Sequence, residues 1–400
     1  MMCDCVIMRA MTQSSPTYLD YAATTPLDMR VLQAMLPYFQ QDFGNPSSIH
    51  RYGQKAEAAI EAARDRIAEC LVCQAEEVIF TSCGSESDNL ALRGTAMASR
   101  QQRDANHILI SPVEHHAISH TAEQLAHVYG FEVETLPVDL HGKVSPDDVK
   151  HRLRPDTAIV SVIYANNEIG TINPIKDIAA ICHDRQIPFH TDAVQAGAYL
   201  ELDVKASGVD LLSLGAHKFY GPKGVGLLYV RKGTPLTPAQ TGGGQEFGLR
   251  AGTQNVPYIV GMKEALHLAQ TNRAENIASI LPMRDRLIGR VLEEIPNAIL
   301  TGHPSDRLAN HASFVFENVD GNALLMLLDQ AGYACSSGSA CKTGNPSPSE
   351  VLIALGIERS WALGSLRVTL GSTTTPAIID AFCDTLTGMI TRLRKLNPHG

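Results

Sequence analysis

Short runs of β-branched and aliphatic residues alternate along the middle of the chain with segments of helical periodicity. The runs predict strands at Glu77–Thr81, His107–Ser111, Ala158–Tyr164, Pro188–His190, Leu211–Leu214 and Val225–Val230. The segments between several of them predict helices at Ser85–Ser99, His116–Tyr129 and Ile175–Arg185. This alternation is typical of an α/β fold with a mainly parallel sheet between helices. Ligands of such sheets bind at the carboxyl ends of the strands.

The pattern changes after about Val260. A helical stretch continues to about Glu294, and the elements predicted after it are a strand at Ser313–Val319, a helix at Ala323–Gln330 and a strand at Ser365–Leu370. We interpret this part as a smaller α+β domain. The predicted organisation is a large domain over residues 18–262 and a small C-terminal domain over 263–400, with residues 1–17 packed on it or disordered.

Composition narrows the class of protein. The chain of 400 residues has 42 acidic and 33 basic side chains and a net charge of −9, which disfavours direct binding of nucleic acid over a broad surface. No apolar run approaches the ~20 residues that span a bilayer, and the first fifteen residues do not resemble a signal peptide. The nine cysteines are scattered and odd in number, which disfavours a disulfide framework and indicates a reducing, cytoplasmic location.

One cysteine lies in an unusual context. Cys341 is surrounded by Ser, Gly, Asn and Pro in the run from Ser336 to Pro346, which predicts a mobile surface loop within residues 335–349. Structural cysteines are normally buried, so a cysteine on such a loop suggests chemistry. The alternative is an unremarkable surface thiol.

Two charged residues follow predicted strands. Asp192 ends the run Ile187–Asp192, and Lys218 comes directly after the run that begins at Leu211. A lysine at the end of a buried strand is partly desolvated, which lowers its pKa and makes its amine available for a Schiff base. Pyridoxal phosphate needs such a lysine and an acid beside its ring nitrogen. The alternative is that both are solvated charges at strand ends.

A turn rich in small residues follows another predicted strand. Gly84 and Ser85 lie between that strand and a helix start, where backbone N–H groups and the helix dipole favour a phosphate. A helix cap without a ligand is the alternative. His115 follows a third strand, and its ring could stack on a pyridine ring and move a proton near neutral pH. Otherwise it is a hydrogen-bonded loop residue.

Considered together, these residues resemble the cysteine desulfurases of the NifS and IscS type, in the class V aminotransferase group with the fold type I architecture of pyridoxal-phosphate enzymes. The resemblance extends from Tyr18 to about Leu396. Besides the Cys341 loop, it rests on the segments Leu19–Pro26, Phe43–Ser48, Glu86–Asn89, Asn166–Gly170, His190–Gln195, Ala216–Gly224, Gly242–Glu246 and Arg250–Thr253. The order and spacing of these motifs are far more specific than any one of them. The fold it implies has a seven-stranded sheet in the large domain.

The resemblance implies a role for each residue around the cofactor ring. Lys218 would form the Schiff base, and Asp192 would pair with the ring nitrogen. Gln195 would donate to the ring hydroxyl oxygen, and Asn167 would lie beside that oxygen and the substrate carboxylate. His115 would stack on the ring and move protons.

Further roles concern the phosphate and the substrate. Gly84, Ser85 and His217 would bind the cofactor phosphate. Thr253 would reach the phosphate of the other subunit, so a homodimer is implied. Arg367 would hold the substrate carboxylate with its planar guanidinium.

The activity that the resemblance implies is removal of sulfur from L-cysteine, giving L-alanine and a persulfide on Cys341. The acceptor would be an iron–sulfur scaffold or a sulfur-relay protein for tRNA thiolation. No resident metal is required, although Cys341 could contact an iron–sulfur cluster shared with the scaffold during transfer. A selenocysteine lyase, another aminotransferase-type enzyme of this class and a cofactor-binding protein without activity remain alternatives. The chain departs from the usual pattern at Gly215, where a serine is common, and at Cys83.

Overall fold

The computed structural model describes residues 16–337 and 347–396, and two sheets dominate its architecture. Within these residues the strands are β1 (Thr17–Tyr18), β2 (Val78–Thr81), β3 (His107–Ile110), β4 (Glu132–Thr135), β5 (Thr157–Ser161), β6 (Phe189–Asp192), β7 (Leu211–Gly215), β8 (Gly226–Val230), β9 (Ala298–Leu300), β10 (His311–Phe316), β11 (Tyr333–Ala334) and β12 (Ser365–Thr369). The helices are α1 (Met29–Met35), α2 (Pro37–Gln40), α3 (Arg51–Leu71), α4 (Gly84–Arg103), α5 (His116–Tyr129), α6 (Pro146–Arg152), α7 (Ile175–Asp184), α8 (Val204–Ser207), α9 (Val256–Thr271), α10 (Arg273–Glu294), α11 (Gly321–Gln330), α12 (Glu350–Ala354), α13 (Arg359–Ala362) and α14 (Pro376–Leu396).

The large sheet has the strand order β2-β8-β7-β6-β5-β3-β4, which makes seven strands in the described part of the chain. All neighbours pair in parallel except β8, which is antiparallel to both β2 and β7. The prediction of a mainly parallel, seven-stranded sheet between helices is therefore confirmed.

Both faces of this sheet are covered. Ile108 and Ile110 of β3 pack in one apolar cluster with residues of α4 and α5, and Leu109 between them faces a second cluster that includes Ile178 of α7. Six of the strands are buried on both faces, and five of them are rich in apolar residues, which is why the hydrophobic pattern predicts them. The sixth, β6, has the sequence Phe-His-Thr-Asp and is apolar only at Phe189.

The exception is the edge strand β4, which the sequence analysis does not predict. Its sequence Glu-Val-Glu-Thr has one apolar residue, Val133, and the strand is only partly buried. It pairs in parallel with β3 alone. An edge strand with one covered face needs few apolar side chains, so it gives a weak signal.

The second sheet is antiparallel, with the order β12-β10-β9. It packs against α10 and α11, and α14 packs on those two helices. A separate two-stranded ribbon joins β1 to β11, so the described N-terminal residues Thr17 and Tyr18 pair with Tyr333 and Ala334.

The predicted helical stretch that ends at Glu294 is two helices. The chain breaks at Asn272, which ends α9 and precedes α10, and its side-chain amide donates to the carbonyl of Leu268 at 2.9 Å. The predicted domain boundary after residue 262 falls inside α9. That division into domains remains a prediction. None of the helices in residues 16–337 and 347–396 is both long and apolar enough to cross a membrane.

Candidate active site

The carboxyl ends of the parallel strands open into a cavity of about 250 Å³. Nine of the eleven predicted site residues line this cavity: Gly84, Ser85, His115, Asn167, Asp192, Gln195, His217, Lys218 and Arg367. They come from α4, from the loops after β3 and β5, from the end of β6 and the loop after it, from the β7–β8 connection and from β12. The residues from Gly84 to Lys218 meet because parallel strands end at one edge of the large sheet, and Arg367 joins them from the small sheet.

Lys218 lies in the connection between β7 and β8, at the end of the 3₁₀ turn Ala216–Lys218. Its Nζ donates hydrogen bonds to the carbonyl oxygens of Ala22 at 2.6 Å and Ala23 at 2.8 Å. Burial, together with the positive charge of Arg367, lowers the pKa of Lys218 from 10.5 to about 8. An appreciable fraction of this amine is therefore unprotonated near neutral pH, as a nucleophilic lysine requires.

Asp192 is the last residue of β6, and its side chain is buried. Its Oδ1 accepts a hydrogen bond from the N–H of Val194 at 2.8 Å. Burial raises the pKa of Asp192, and His115 and Lys218 oppose that rise by favouring the charged form. The acid and the amine that the sequence analysis paired thus face the same cavity.

Two further buried carboxyl groups surround Asp192, and the sequence analysis missed both as site residues. Asp88 of α4 lines the cavity, and Glu114 precedes α5. Burial raises the pKa of Glu114 to about 8 and holds the pKa of Asp88 well above its usual range. Among the described residues, Asp88 Oδ1 and Glu114 Oε2 have no hydrogen-bond partner. Asp88 lies one helical turn after Gly84, so helical periodicity could have found it.

The start of α4 forms one end of the cavity. Its first-turn N–H groups have no partner within the helix, and Cys83 provides no side-chain cap. A Cβ at Gly84 would come within 2.7 Å of Val194 Cγ2, so only glycine allows the helix to begin this close to the loop after β6. A Cβ at Gly215 would lie 3.4 Å from the N atom of Gly84, an ordinary van der Waals contact, so Gly215 borders the helix start. An anion suits such a place.

His115 is the N-cap of α5. Its Nδ1 accepts a hydrogen bond from the N–H of Ala117 at 3.1 Å, so a neutral ring carries its proton on Nε2. Removal of water by the cavity wall lowers the pKa of His115, although the exposure of its side chain limits the effect. The neutral imidazole is therefore the dominant form at neutral pH.

Gln195 and His217 complete this part of the wall. Gln195 Nε2 donates to the carbonyl of Ala22 at 2.9 Å, the same oxygen that Lys218 contacts. The His217 ring places Nδ1 3.1 Å from Thr24 Oγ1, and burial lowers its pKa to about 4. His217 is therefore a neutral hydrogen-bonding group.

Arg367 of β12 is buried and approaches the cavity from the small sheet. Its Nη1 donates to the carbonyl of Asn167 at 2.9 Å, and its Nη2 forms an ion pair with Asp20 Oδ1 at 2.7 Å. Its Nε has no hydrogen-bond partner among the described residues. Asp20 is a third missed residue, although it lies inside a motif that the sequence analysis used.

Two predicted site residues are not part of this cavity. Thr253 is exposed and lines a separate cavity of about 170 Å³ together with Ser82 and Arg250. Cys341 lies outside the described residues. Among the residues that are described, no group of three or more His, Cys, Asp or Glu side chains is arranged to hold a metal ion.

Comparison with known proteins agrees with this geometry. The family described as class V aminotransferase matches residues 17–382. The cysteine desulfurase IscS of Methanosarcina thermophila is 46% identical over 387 residues, which is 97% of this chain and 95% of the relative. A solved NifS-like protein has a TM-score of 0.87 and 35% identity, covering 94% of this chain and 100% of its own. The structure of SspA in complex with cysteine has a TM-score of 0.77 and 34% identity, covering 88% of this chain and 98% of its own.

The fold and the cavity thus define an enzyme of the fold type I class, in which a lysine at a strand end and a buried acid face one site. The chain belongs to the class V aminotransferase family and, within it, to the cysteine desulfurases of the IscS and NifS type.

Proposed function

We propose that this protein is a pyridoxal-phosphate-dependent cysteine desulfurase, which takes sulfur from L-cysteine, releases L-alanine and leaves a persulfide on Cys341. The observation that carries the proposal is the meeting of Lys218, Asp192 and Arg367 at one cavity. Each supplies a different requirement of the reaction: an amine, a buried acid and a carboxylate-binding guanidinium.

The cavity residues fit pyridoxal phosphate. Lys218 has a lowered pKa, as an imine-forming amine needs, and Asp192 is a buried acid that can stabilise a protonated ring nitrogen. The uncapped start of α4 at Gly84 and Ser85 suits the phosphate, and neutral His217 can donate to it. The other cavity residues would contact the pyridine ring of the cofactor, His115 on its face and Gln195 and Asn167 at its edge.

When bound, pyridoxal phosphate supplies an electron-withdrawing ring that stabilises negative charge at the α-carbon of an amino acid. Lys218, with its pKa lowered to about 8, would take the α-proton and return it later. Asp192 would stay ionised beside the ring nitrogen. Arg367 would hold the substrate carboxylate with its guanidinium, since it lines the cavity.

The sulfur step falls to Cys341. Its thiolate would attack the sulfur of cysteine, so an S–S bond forms as the C–S bond breaks. The electron pair of the C–S bond remains on carbon, which takes a proton and leaves as the methyl group of alanine. The two thiols of cysteine and Cys341 thereby become one persulfide, with no external oxidant or reductant.

Covalent geometry allows this meeting. Ser336 exchanges backbone hydrogen bonds of 2.6 and 3.3 Å with Arg367, which lines the cavity. Cys341 is five residues further along, and five extended residues span at most about 18 Å. The covalent chain therefore limits Cys341 to within about 18 Å of Ser336, which is hydrogen-bonded to the cavity wall.

The test uses Cys341→Ser with Cys335→Ser as the matched control. Cys335 is six residues away and does not line the cavity. We expect Cys341→Ser to keep the visible absorbance of the bound cofactor and to form no alanine or sulfide from cysteine, whereas Cys335→Ser turns over normally. Normal turnover by Cys341→Ser would refute the assignment and favour an aminotransferase-type reaction. A comparison of cysteine with selenocysteine as substrates separates a desulfurase from a selenocysteine lyase.

The proposal extends to assembly and partners. Thr253 is exposed outside the cavity of its own chain, so we infer that it serves the phosphate site of a second copy in a homodimer. Light scattering that gives the mass of one chain would contradict this. We further propose a cytoplasmic enzyme that passes sulfur to an iron–sulfur scaffold or a sulfur-relay protein.

A further inference from the structure

A contact between two side chains outside the catalytic set joins the cavity wall to the chain that follows Cys341. Ser349 is buried, and its Oγ donates a hydrogen bond to Glu168 Oε2 at 2.5 Å. The same hydroxyl accepts the N–H of Leu352 at 3.3 Å and thereby caps the start of α12. Ser349, the N-cap of α12, is thus hydrogen-bonded to the carboxyl group of Glu168 in a different part of the fold.

Glu168 belongs to a tight turn that borders the cavity. The side chain of Asn166 accepts the N–H groups of Glu168 at 2.8 Å and of Ile169 at 2.9 Å. It also donates to the carbonyl of Val113 at 2.8 Å, which fixes the turn to the loop before α5. Glu168 is therefore held on a rigid support, next to the cavity residue Asn167.

Arg367 connects this turn to the chain before Cys341. Its guanidinium donates to the carbonyl of Asn167, and its backbone exchanges hydrogen bonds with Ser336. The chain on both sides of Cys341 is consequently attached to one part of the cavity wall, at Ser336 through Arg367 and at Ser349 through Glu168. The two attachments lie five residues before and eight residues after the cysteine.

Glu168 is a buried carboxyl group, and burial affects how strongly it can accept the hydrogen bond from Ser349. Burial raises its pKa to about 7, while the hydrogen bond from Ser349 and the charge of Arg367 oppose the rise, and Glu350 adds to it. A carboxylate is a stronger acceptor than a neutral group, so the contact with Ser349 is a charge-assisted hydrogen bond whenever Glu168 is ionised.

We propose that Glu168 and Ser349 are positioning residues that fix the chain after Cys341 against the cavity, so that they govern transfer of sulfur to Cys341 and not binding of cysteine. This inference rests on the proposed desulfurase function. Neither residue lines the cavity that holds Lys218. We therefore expect them to act through the placement of Cys341, and the measurement of cysteine binding tests whether Glu168 also acts through the charge of Arg367.

The experiment compares Glu168→Ala, Ser349→Ala and Glu168→Gln in the holoenzyme. Cysteine binding is followed by the change in the visible cofactor spectrum, and persulfide on Cys341 is followed by alkylation and mass spectrometry in a single turnover. We expect both alanine variants to bind cysteine as the wild type does and to form persulfide roughly tenfold more slowly, as loss of a charge-assisted hydrogen bond predicts. Glu168→Gln keeps an acceptor for Ser349 and should recover most of the rate.

The control is Asp320→Ala, which removes the N-cap of α11, where Asp320 accepts from two backbone N–H groups. It should leave the persulfide rate unchanged. A wild-type persulfide rate in Glu168→Ala, an equal loss of cysteine binding, or the same slowing in Asp320→Ala would overturn the inference. If the wild type itself forms neither alanine nor persulfide from cysteine, the proposed function fails first.

Discussion

The lowered pKa of Lys218 makes a quantitative prediction about stability. We consider Lys218→Met, which keeps most of the length of the side chain and removes its charge. The pKa of Lys218 falls from 10.5 to about 8, mainly because the amine is buried. Since one pKa unit corresponds to about 1.4 kcal/mol, burial disfavours the ammonium form by about 3 kcal/mol. This is an upper value because the side chain keeps some contact with water.

The sign follows from the two pKa values. Below pH 8 the amine is protonated in both the folded and the unfolded chain, so the folded state is destabilised by the full free energy of burying the ammonium group. Between pH 8 and 10.5 only the unfolded chain keeps the proton, and the cost to the folded state fades. Removal of this charge should therefore stabilise the protein by about 3 kcal/mol at pH 7 and by about 1.4 kcal/mol at pH 9.5.

The assay is urea denaturation of the cofactor-free protein at the two pH values. Lys218→Met also loses the hydrogen bonds to Ala22 and Ala23, at about 1 kcal/mol each, but that loss is nearly the same at both pH values. The informative quantity is therefore the difference in the free energy of unfolding between Lys218→Met and the wild type. This difference should change by about 2 kcal/mol between pH 7 and pH 9.5. Lys205→Met, at an exposed lysine of α8, is the control and should show no such change. A constant difference for Lys218→Met would refute the idea that burial lowers the pKa of this amine.

Two further substitutions test the cavity wall and the core. Arg367→Lys loses the planar guanidinium, so KM for cysteine should rise roughly tenfold or more while the cofactor spectrum persists; steady-state kinetics with an unchanged KM would contradict the assigned role. Glu246→Gln removes the partner of the buried guanidinium of Arg64, which it contacts at 2.9 and 3.1 Å, and should lower the free energy of unfolding by about 3–5 kcal/mol in urea. Glu61→Gln removes the exposed partner of the same arginine and should cost less than about 1 kcal/mol.

The hydrophobic pattern predicted the large sheet because its central strands are buried on both faces. It failed for a strand that is covered on only one face and for a helix break that depends on one residue. β4 has only Val133 to signal a strand, and the break between α9 and α10 depends on Asn272 within an otherwise helical pattern. The pairing of β1 with β11 joins residues more than 300 positions apart and has no local signal.

The cavity was predictable because parallel strands end at one edge and carry their functional residues there. Asp192 ends β6 and Lys218 ends the short turn after β7, so the sequence shows where they lie. Asp88, Glu114 and Asp20 were missed because a carboxylate in a sequence normally indicates a solvated position. Only the packed structure shows that the first two are buried and that Asp20 pairs with Arg367.

The three buried carboxyl groups differ in a way that identifies the one that ionises. Asp88 and Glu114 each have an oxygen without a partner, and neighbouring acids raise the pKa of both beyond the effect of burial. Asp192 is the one with a cationic neighbour, because the ammonium form of Lys218 favours its charged form, and its side chain also accepts the N–H of Val194. Neighbouring like charges raise one another's pKa in a low-dielectric site, so the protonated form is favoured most at Asp88 and Glu114. Under the proposed function, a negative charge on Asp192 would lie beside the protonated ring nitrogen of the cofactor.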